Sequence, residues 1–211
     1  MTARTIKCGK MVDKTKIDLA CGSNKMEGFF GIDVVAAEGI DLVHDLNVYP
    51  WPIESNSVKE IHCHHYMEHI PHDSWRVVAK SCETFEEFKA KASEPYIDGV
   101  LKFMDELYRI LEPGGKAHIQ VPHAKHSRAY GDPTHVRYML DWSFYYFNKE
   151  WRDLPGNEGI KHYDINCDFD MVFSYHIDES LILKSDEVRS KAFKEDWDSI
   201  LDLKVELTKR K

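Results

Sequence analysis

Five short apolar runs in the first part of the chain each end on residues that close a strand. Lys16–Ala20 passes into Cys21-Gly22-Ser23-Asn24, and Phe30–Val34 carries Asp33 near its end. Ile40–His44 is followed at once by Asp45, Val58–Cys63 by His64-His65, and Lys116–Val121 by Pro122-His123. Runs of this length bounded by turn formers read as strands. Between the fourth and fifth, Val100, Phe103, Met104, Leu107, Ile110 and Leu111 fall on one face of a helix over 99–111. Glu112-Pro113-Gly114-Gly115 ends that helix and turns the chain. Strands alternating with crossovers predict a mostly parallel α/β sheet. A ligand of such a sheet lies beyond the carboxyl ends of its strands, so the polar residues that end these runs converge on one edge.

Asp33 follows Asp18 by only fifteen positions, whereas a parallel crossover ordinarily takes about a dozen residues or more. The next two connections are also short. That face of the sheet is therefore expected to carry short helices or turns. Residues 123–167, rich in His, aromatics, Pro and Gly, form an insertion with one helix near Met139–Phe147. Met171–His176 reads as a sixth strand. Leu201, Leu203, Val205 and Leu207 alternate with Asp202, Lys204, Glu206 and Thr208, the period of an antiparallel strand with one wet face. No repeat or Gly/Ser linker divides the sequence, and 1–211 is expected to be one domain.

The formal charge of −8 argues against a general grip on nucleic acid, which needs basic surface to displace counterions. The first residues lack the apolar core of a secretory signal, and no apolar stretch approaches the ~20 residues that span a bilayer. The five cysteines are scattered, with no C-x-x-C pair, so neither a disulfide framework nor a thiolate zinc site is indicated. A cytoplasmic protein acting on a small molecule, with no membrane or bulk nucleic-acid partner, is the simplest expectation. Oligomeric state is left open.

The strand ends suit an adenosyl ligand. The small residues Ala20, Cys21, Gly22 and Ser23 let backbone approach closely. Asp33 can accept two hydrogen bonds from ribose hydroxyls, and Asp45 can accept one from the adenine amino group. In order along the chain, Asp18-Leu19-Ala20-Cys21-Gly22, Gly31-Ile32-Asp33, His44-Asp45-Leu46, Met67-Glu68-His69-Ile70 and Leu107-Tyr108-Arg109-Ile110-Leu111-Glu112-Pro113-Gly114-Gly115 resemble class I S-adenosylmethionine-dependent methyltransferases, closest to the type 11 methyltransferase domain. The likeness spans about residues 16–122. It implies a Rossmann-like seven-stranded mixed sheet with an antiparallel last strand, an S-adenosylmethionine cofactor and an S-adenosylhomocysteine product. It also implies Asp18 near the methionine amino group, with Ala20, Cys21 and Gly22 along the methionine and ribose. Asp33 would hold the ribose with Val34 also against the cofactor, Asp45 with Leu46 would face adenine, and His64 and His65 would lie over the sulfonium. The glycine triplet usual in that family stands here as Ala20, Gly22 and Asn24.

A rival reading comes from the histidines. His65-Tyr66-Met67-Glu68-His69 matches H-x-x-E-H, the inverted zinc-hydrolase pattern, which needs a helix several turns long; Pro71 stands two residues beyond it. A non-catalytic cofactor-binding protein is the other alternative. On the acceptor side, Tyr130, Asp132, His135 and Arg137 lie in the insertion. Arg137 would take an anionic group and His135 a proton; alternatively Asp132 caps a helix and pairs with Arg137. His135, His65 and His123, in that order and on location alone, are the candidate general bases. No metal is expected.

Overall fold

The computed structural model describes residues 13–72, 79, 82–92 and 97–211. Seven strands form one sheet: β1 (Asp13–Leu19), β2 (Phe29–Asp33), β3 (Leu42–Val43), β4 (Val58–His64), β5 (Leu111–Pro122), β6 (Phe169–Ile177) and β7 (Ile200–Lys209). Their order is β3-β2-β1-β4-β5-β7-β6. Strands β1 to β5 pair in parallel, and β7 runs antiparallel to both β5 and β6. This is the Rossmann-like mixed sheet expected from the sequence.

The spacing also dictates which layers the sheet receives. Residues 20–28 link β1 to β2 by turns alone, with positive φ at Ala20 (52°), Gly22 (53°) and Gly28 (85°). Between β2 and β3, and between β3 and β4, the structure likewise places turns rather than helices. The main crossover helix joins β4 to β5. In α/β order along the chain, the described helices begin with α1 (Phe85–Ala92) and α2 (Gly99–Ile110). Asp98 caps α2 by accepting from the Val100 amide at 2.9 Å. Val100, Phe103, Met104, Leu107 and Ile110 of α2 share a buried cluster with Ile17, Ile61, Cys63, Ala117, Ile119, Leu203 and Val205. Each such side chain contributes about 1.5–3 kcal/mol by burial.

The other face of the same strands is polar. Glu60, His62 and His64 on β4, His118 and Gln120 on β5, and Lys204 and Glu206 on β7 are half-buried or exposed. Ion pairs such as Lys16–Glu60 (2.7 Å) and Lys116–Glu206 (2.6 Å) run across it. The period of two on β7 is thus shared by its neighbours, because short crossovers leave that face to water.

Two elements differ from their sequence expectation. β3 shrinks to two residues because the Asp41 carboxylate takes the Gly31 amide and the Lys25 ammonium, each at 2.7 Å. β5 begins at Leu111 rather than Lys116, and Glu112 to Gly115 form a bulge where pairing jumps from Val58↔Leu111 to Glu60↔Lys116. A Cβ on Gly115 would lie 2.9 Å from Glu112 O and 3.0 Å from Val58 O, so the bulge requires glycine there. Arg109, just before it, is structural. It forms a two-pronged pair with Glu106 (2.8 and 2.6 Å) and donates to the carbonyls of Ile53 (2.9 Å) and Trp51 (3.1 Å).

The insertion between β5 and β6 holds α3 (Arg128–Gly131), α4 (Asp141–Tyr145) and α5 (Lys149–Arg152), and α6 (Asp186–Glu195) joins β6 to β7. Among the described residues no helix is long and apolar enough to cross a membrane.

Candidate cofactor and acceptor site

At the carboxyl end of β2, Asp33 ties two turns together. Its Oδ2 accepts from the Gly22 amide and its Oδ1 from the Val35 amide, each at 2.9 Å. A carboxylate oxygen has two lone-pair directions, so each keeps one for a ligand hydroxyl. Nothing lies within 4 Å of a Cβ built on Gly22, which leaves open space above the turn. Val34, Val35 and Val43 stand exposed at the ends of β2 and β3, an apolar shelf beside the carboxylate. These features fit an adenosyl ligand: two acceptors for a diol, a close backbone turn and a surface for a flat ring.

Asp18 lies beneath this turn. It is buried, and its Oδ2 accepts from the Met26 amide at 2.8 Å, so it shapes the 21–26 loop. Burial raises its pKa, opposed by that amide and by His62 and His64. Burial and then the charges of Asp18 and Asp33 push the Cys21 thiol up to about 11. Asp45 folds back on itself, accepting from the Asn47 amide and side chain at 3.0 Å each. Leu46 corrects the sequence reading: it is 3% exposed within the core, so its side chain does not face an open adenine site.

Beyond β4 the H-x-x-E-H pattern does not form a helix. Met67–His69 is a single 3-10 turn, and His65 precedes it with φ 54°. The His65 Nδ1 sits 3.2 Å from Glu68 Oε1. The zinc-hydrolase arrangement of His65, Glu68 and His69 is therefore not made. The Glu68 hydrogen bond raises the His65 pKa. On its other side His65 Nε2 faces Gln120 Nε2 at 3.3 Å, and Gln120 also donates to Asp202 Oδ2 at 3.0 Å. Asp202 further meets His176 Nδ1 at 3.0 Å and Arg128 Nη1 at 3.5 Å. Periodicity put Asp202 on the wet face of β7, yet these neighbours bury it. Sequence reasoning missed Gln120 and Asp202. His64 lies beside His62 on the polar face, and burial and His62 lower its pKa.

The insertion brings some acceptor-side candidates to this edge and removes others. Backbone bonds from Val136 (2.8 Å) and Arg137 (3.2 Å) to the Glu68 carbonyl dock residues 134–137 against the 67–69 turn. His135 and His69 meet there with ring centroids 4.7 Å apart. Asp132 accepts from both the amide (2.8 Å) and the hydroxyl (2.6 Å) of Thr134; it follows α3 at its C-cap position and caps no helix N-terminus. Arg137 turns inward, with its side chain 10% exposed. It donates to Ile70 O (2.8 Å), Pro71 O (2.7 Å) and Asp98 Oδ2 (3.0 Å), so it pairs with the cap of α2 rather than with Asp132 or an incoming anion. His123 is buried, its Nδ1 accepts from the Lys125 amide at 3.3 Å, and burial lowers its pKa. That leaves its acceptor nitrogen occupied. Tyr130 is exposed and stacks on Tyr138 at 4.5 Å, with Trp197 at 6.0 Å.

No family profile and no curated protein sequence matches the chain. Solved structures do. A SAM-dependent methyltransferase from Archaeoglobus fulgidus superposes with a TM-score of 0.56 at 14% identity, covering 92% of this chain and 85% of that one. An S-adenosylmethionine-dependent methyltransferase from Mesorhizobium loti gives 0.44 at 13% identity, covering 92% and 90%. With the strand order and the antiparallel β7, the first of these shows that this chain shares the Rossmann-like fold of that methyltransferase.

Proposed function

We propose that the chain is an enzyme that transfers the methyl group of S-adenosylmethionine to a small-molecule acceptor, with residues 1–211 acting as one domain. The observation that carries this is the Asp33 carboxylate, held by Gly22 and Val35 with one acceptor direction left on each oxygen beside an exposed apolar shelf. The cofactor, when bound, supplies an electrophilic methyl on a positive sulfur. The protein then needs to hold the diol, align the acceptor and remove its proton.

Asp33 holds the ribose, while Ala20, Cys21 and Gly22 line the approach and Asp18 fixes the loop beneath them. Asp45 and Val34 take the adenine side. The proton acceptor is His65 rather than His135. Glu68 orients its Nδ1, so Nε2 carries the lone pair, and Gln120 holds that nitrogen until an acceptor hydroxyl or amine displaces it. Tyr130 and Asp132 border the acceptor. The four described cysteines are unpaired, which supports a reducing, cytoplasmic setting.

The test is calorimetric titration with S-adenosylmethionine and S-adenosylhomocysteine, followed by transfer of labelled methyl to a fractionated small-molecule extract. One-to-one binding with label transfer is expected. His65→Gln should keep binding and lower kcat. Absence of binding to both ligands overturns the proposal.

A further inference from the structure

Glu68 spends only one oxygen on His65. The residue is 2% exposed, and its Oε2 has no hydrogen-bond partner among the described residues. Leaving a carboxylate oxygen buried without a donor is unfavourable. One ligand atom from each of Glu68, His69 and His135 lies within 4.8 Å of the other two.

The remaining hydrogen bonds determine which nitrogen of each ring is left to bind a ligand. The Thr134 hydroxyl donates to Asp132 Oδ1 at 2.6 Å, so toward His69 Nδ1, 3.0 Å away, it can only accept. His69 therefore carries its proton on Nδ1. His135 Nδ1 lies 3.1 Å from the Ala129 carbonyl, which also only accepts, so its proton is on Nδ1 too. With Nδ1 donating, each ring has Nε2 left as its ligand atom, and the two ring centroids lie 4.7 Å apart. Two histidine rings and a buried carboxylate with one unsatisfied oxygen therefore converge here. Outer partners that hold the far nitrogen of each histidine are how proteins orient metal ligands.

We infer that Glu68, His69 and His135 bind one divalent transition-metal ion, with the Asp132 carboxylate nearby, its Oδ2 3.9 Å from His135 Nε2. Two imidazoles and a carboxylate suit Zn²⁺, Co²⁺ or Ni²⁺ and disfavour Mg²⁺ and Ca²⁺, which prefer an all-oxygen shell. The ion would join the 67–69 turn to the insertion and, through Glu68, stand next to His65. The site replaces the helical H-x-x-E-H arrangement with one drawn from two separate segments. It stands apart from the methyl-transfer reading, since it needs no cofactor.

The full chain, stripped with a chelator and dialysed, is titrated with Co²⁺ followed by visible absorbance and with Zn²⁺ by calorimetry, both without S-adenosylmethionine. One equivalent is expected, with ligand-field bands in the cobalt form. His69→Gln and His135→Gln should each weaken Zn²⁺ binding on the order of 100-fold. His62→Gln and His118→Gln probe a second cluster among the described residues, Glu60, His62 and His118, and should leave binding unchanged. Circular dichroism checks that each variant folds. Thr134→Val, which keeps every ligand but removes the acceptor that orients His69, should cost on the order of 10-fold. Failure of the wild-type chain to take one equivalent, or loss of binding only in the His62 and His118 variants, overturns the inference.

Discussion

Asp33 and Gly22 are joined by a 2.9 Å hydrogen bond from the Gly22 amide to the Asp33 carboxylate, so the turn after β1 is braced by the acid that ends β2. The same group is thus both a structural acceptor and the candidate ribose acceptor. Hydrogen bonds to a charged group contribute about 1.5–3 kcal/mol each. Asp33→Ala is therefore expected to weaken S-adenosylmethionine binding by roughly 100-fold, and Asp33→Asn by about 10-fold because one acceptor remains. Calorimetric Kd values on folded variants decide this. Wild-type affinity in Asp33→Asn would remove Asp33 from the ribose.

Cys21 supplies a probe of the same turn that needs no acceptor. Its thiol is pushed up to about 11 by burial and then by Asp18 and Asp33, against about 8.5 for an unperturbed cysteine. The thiolate is the reactive form, so alkylation should be at least about tenfold slower than for a free thiol at pH 8 after allowing for its higher nucleophilicity. The rate should climb with pH until about 11. Peptide-resolved mass spectrometry after timed alkylation reads this directly. A midpoint near that of free cysteine would contradict the burial seen here, and added S-adenosylmethionine should slow the reaction further.

Arg137 distinguishes a binding role from a scaffolding one. All three of its guanidinium nitrogens donate, to Ile70, Pro71 and Asp98. Breaking a largely buried ion pair from one side costs about 3 kcal/mol or more, so Arg137→Ala should lower the denaturation midpoint. Asp98→Asn should do so less, since the neutral amide still accepts one bond. Turnover per folded molecule should show no specific rise in KM for anionic acceptors. Such a rise, with unchanged stability, would return Arg137 to the acceptor pocket.

The strands, the turn at Gly22 and the acid that closes β2 were legible because each is written within a few consecutive residues: an apolar run, then a small or acidic stop. That the crossovers between β1 and β4 hold no more than short helices or turns followed from chain length alone. What the sequence could not show depends on residues far apart along it. Arg137 meets Asp98 across 39 positions and Thr134 meets His69 across 65, and no periodicity within one element reports such pairs. Leu46 looked like a ligand contact because it follows Asp45, yet the 45–47 turn sends its side chain into the core. Asp202 kept the right phase for the wet face, but Gln120, His176 and Arg128 bury it.

Lys209, near the end of β7, closes the far end of the molecule. It is buried, and its Nζ donates to Asn56 Oδ1 (2.7 Å), Tyr108 O (2.6 Å) and Leu111 O (2.8 Å). Tyr108 lies in the last turn of α2 and Leu111 just past it, where carbonyls lack helical partners. Lys209→Met keeps the apolar stem and strands these acceptors, so a loss of about 2–4 kcal/mol in unfolding free energy is expected. Burial lowers the Lys209 pKa below its unfolded value. Between the folded and unfolded values the unfolded chain binds more protons, and stability from this group rises with pH. The stability gap between wild type and Lys209→Met should therefore widen from neutral into alkaline pH. Urea unfolding of both proteins across that range measures it, and a gap that stays flat or narrows would show that the buried ammonium is not disfavoured in the fold.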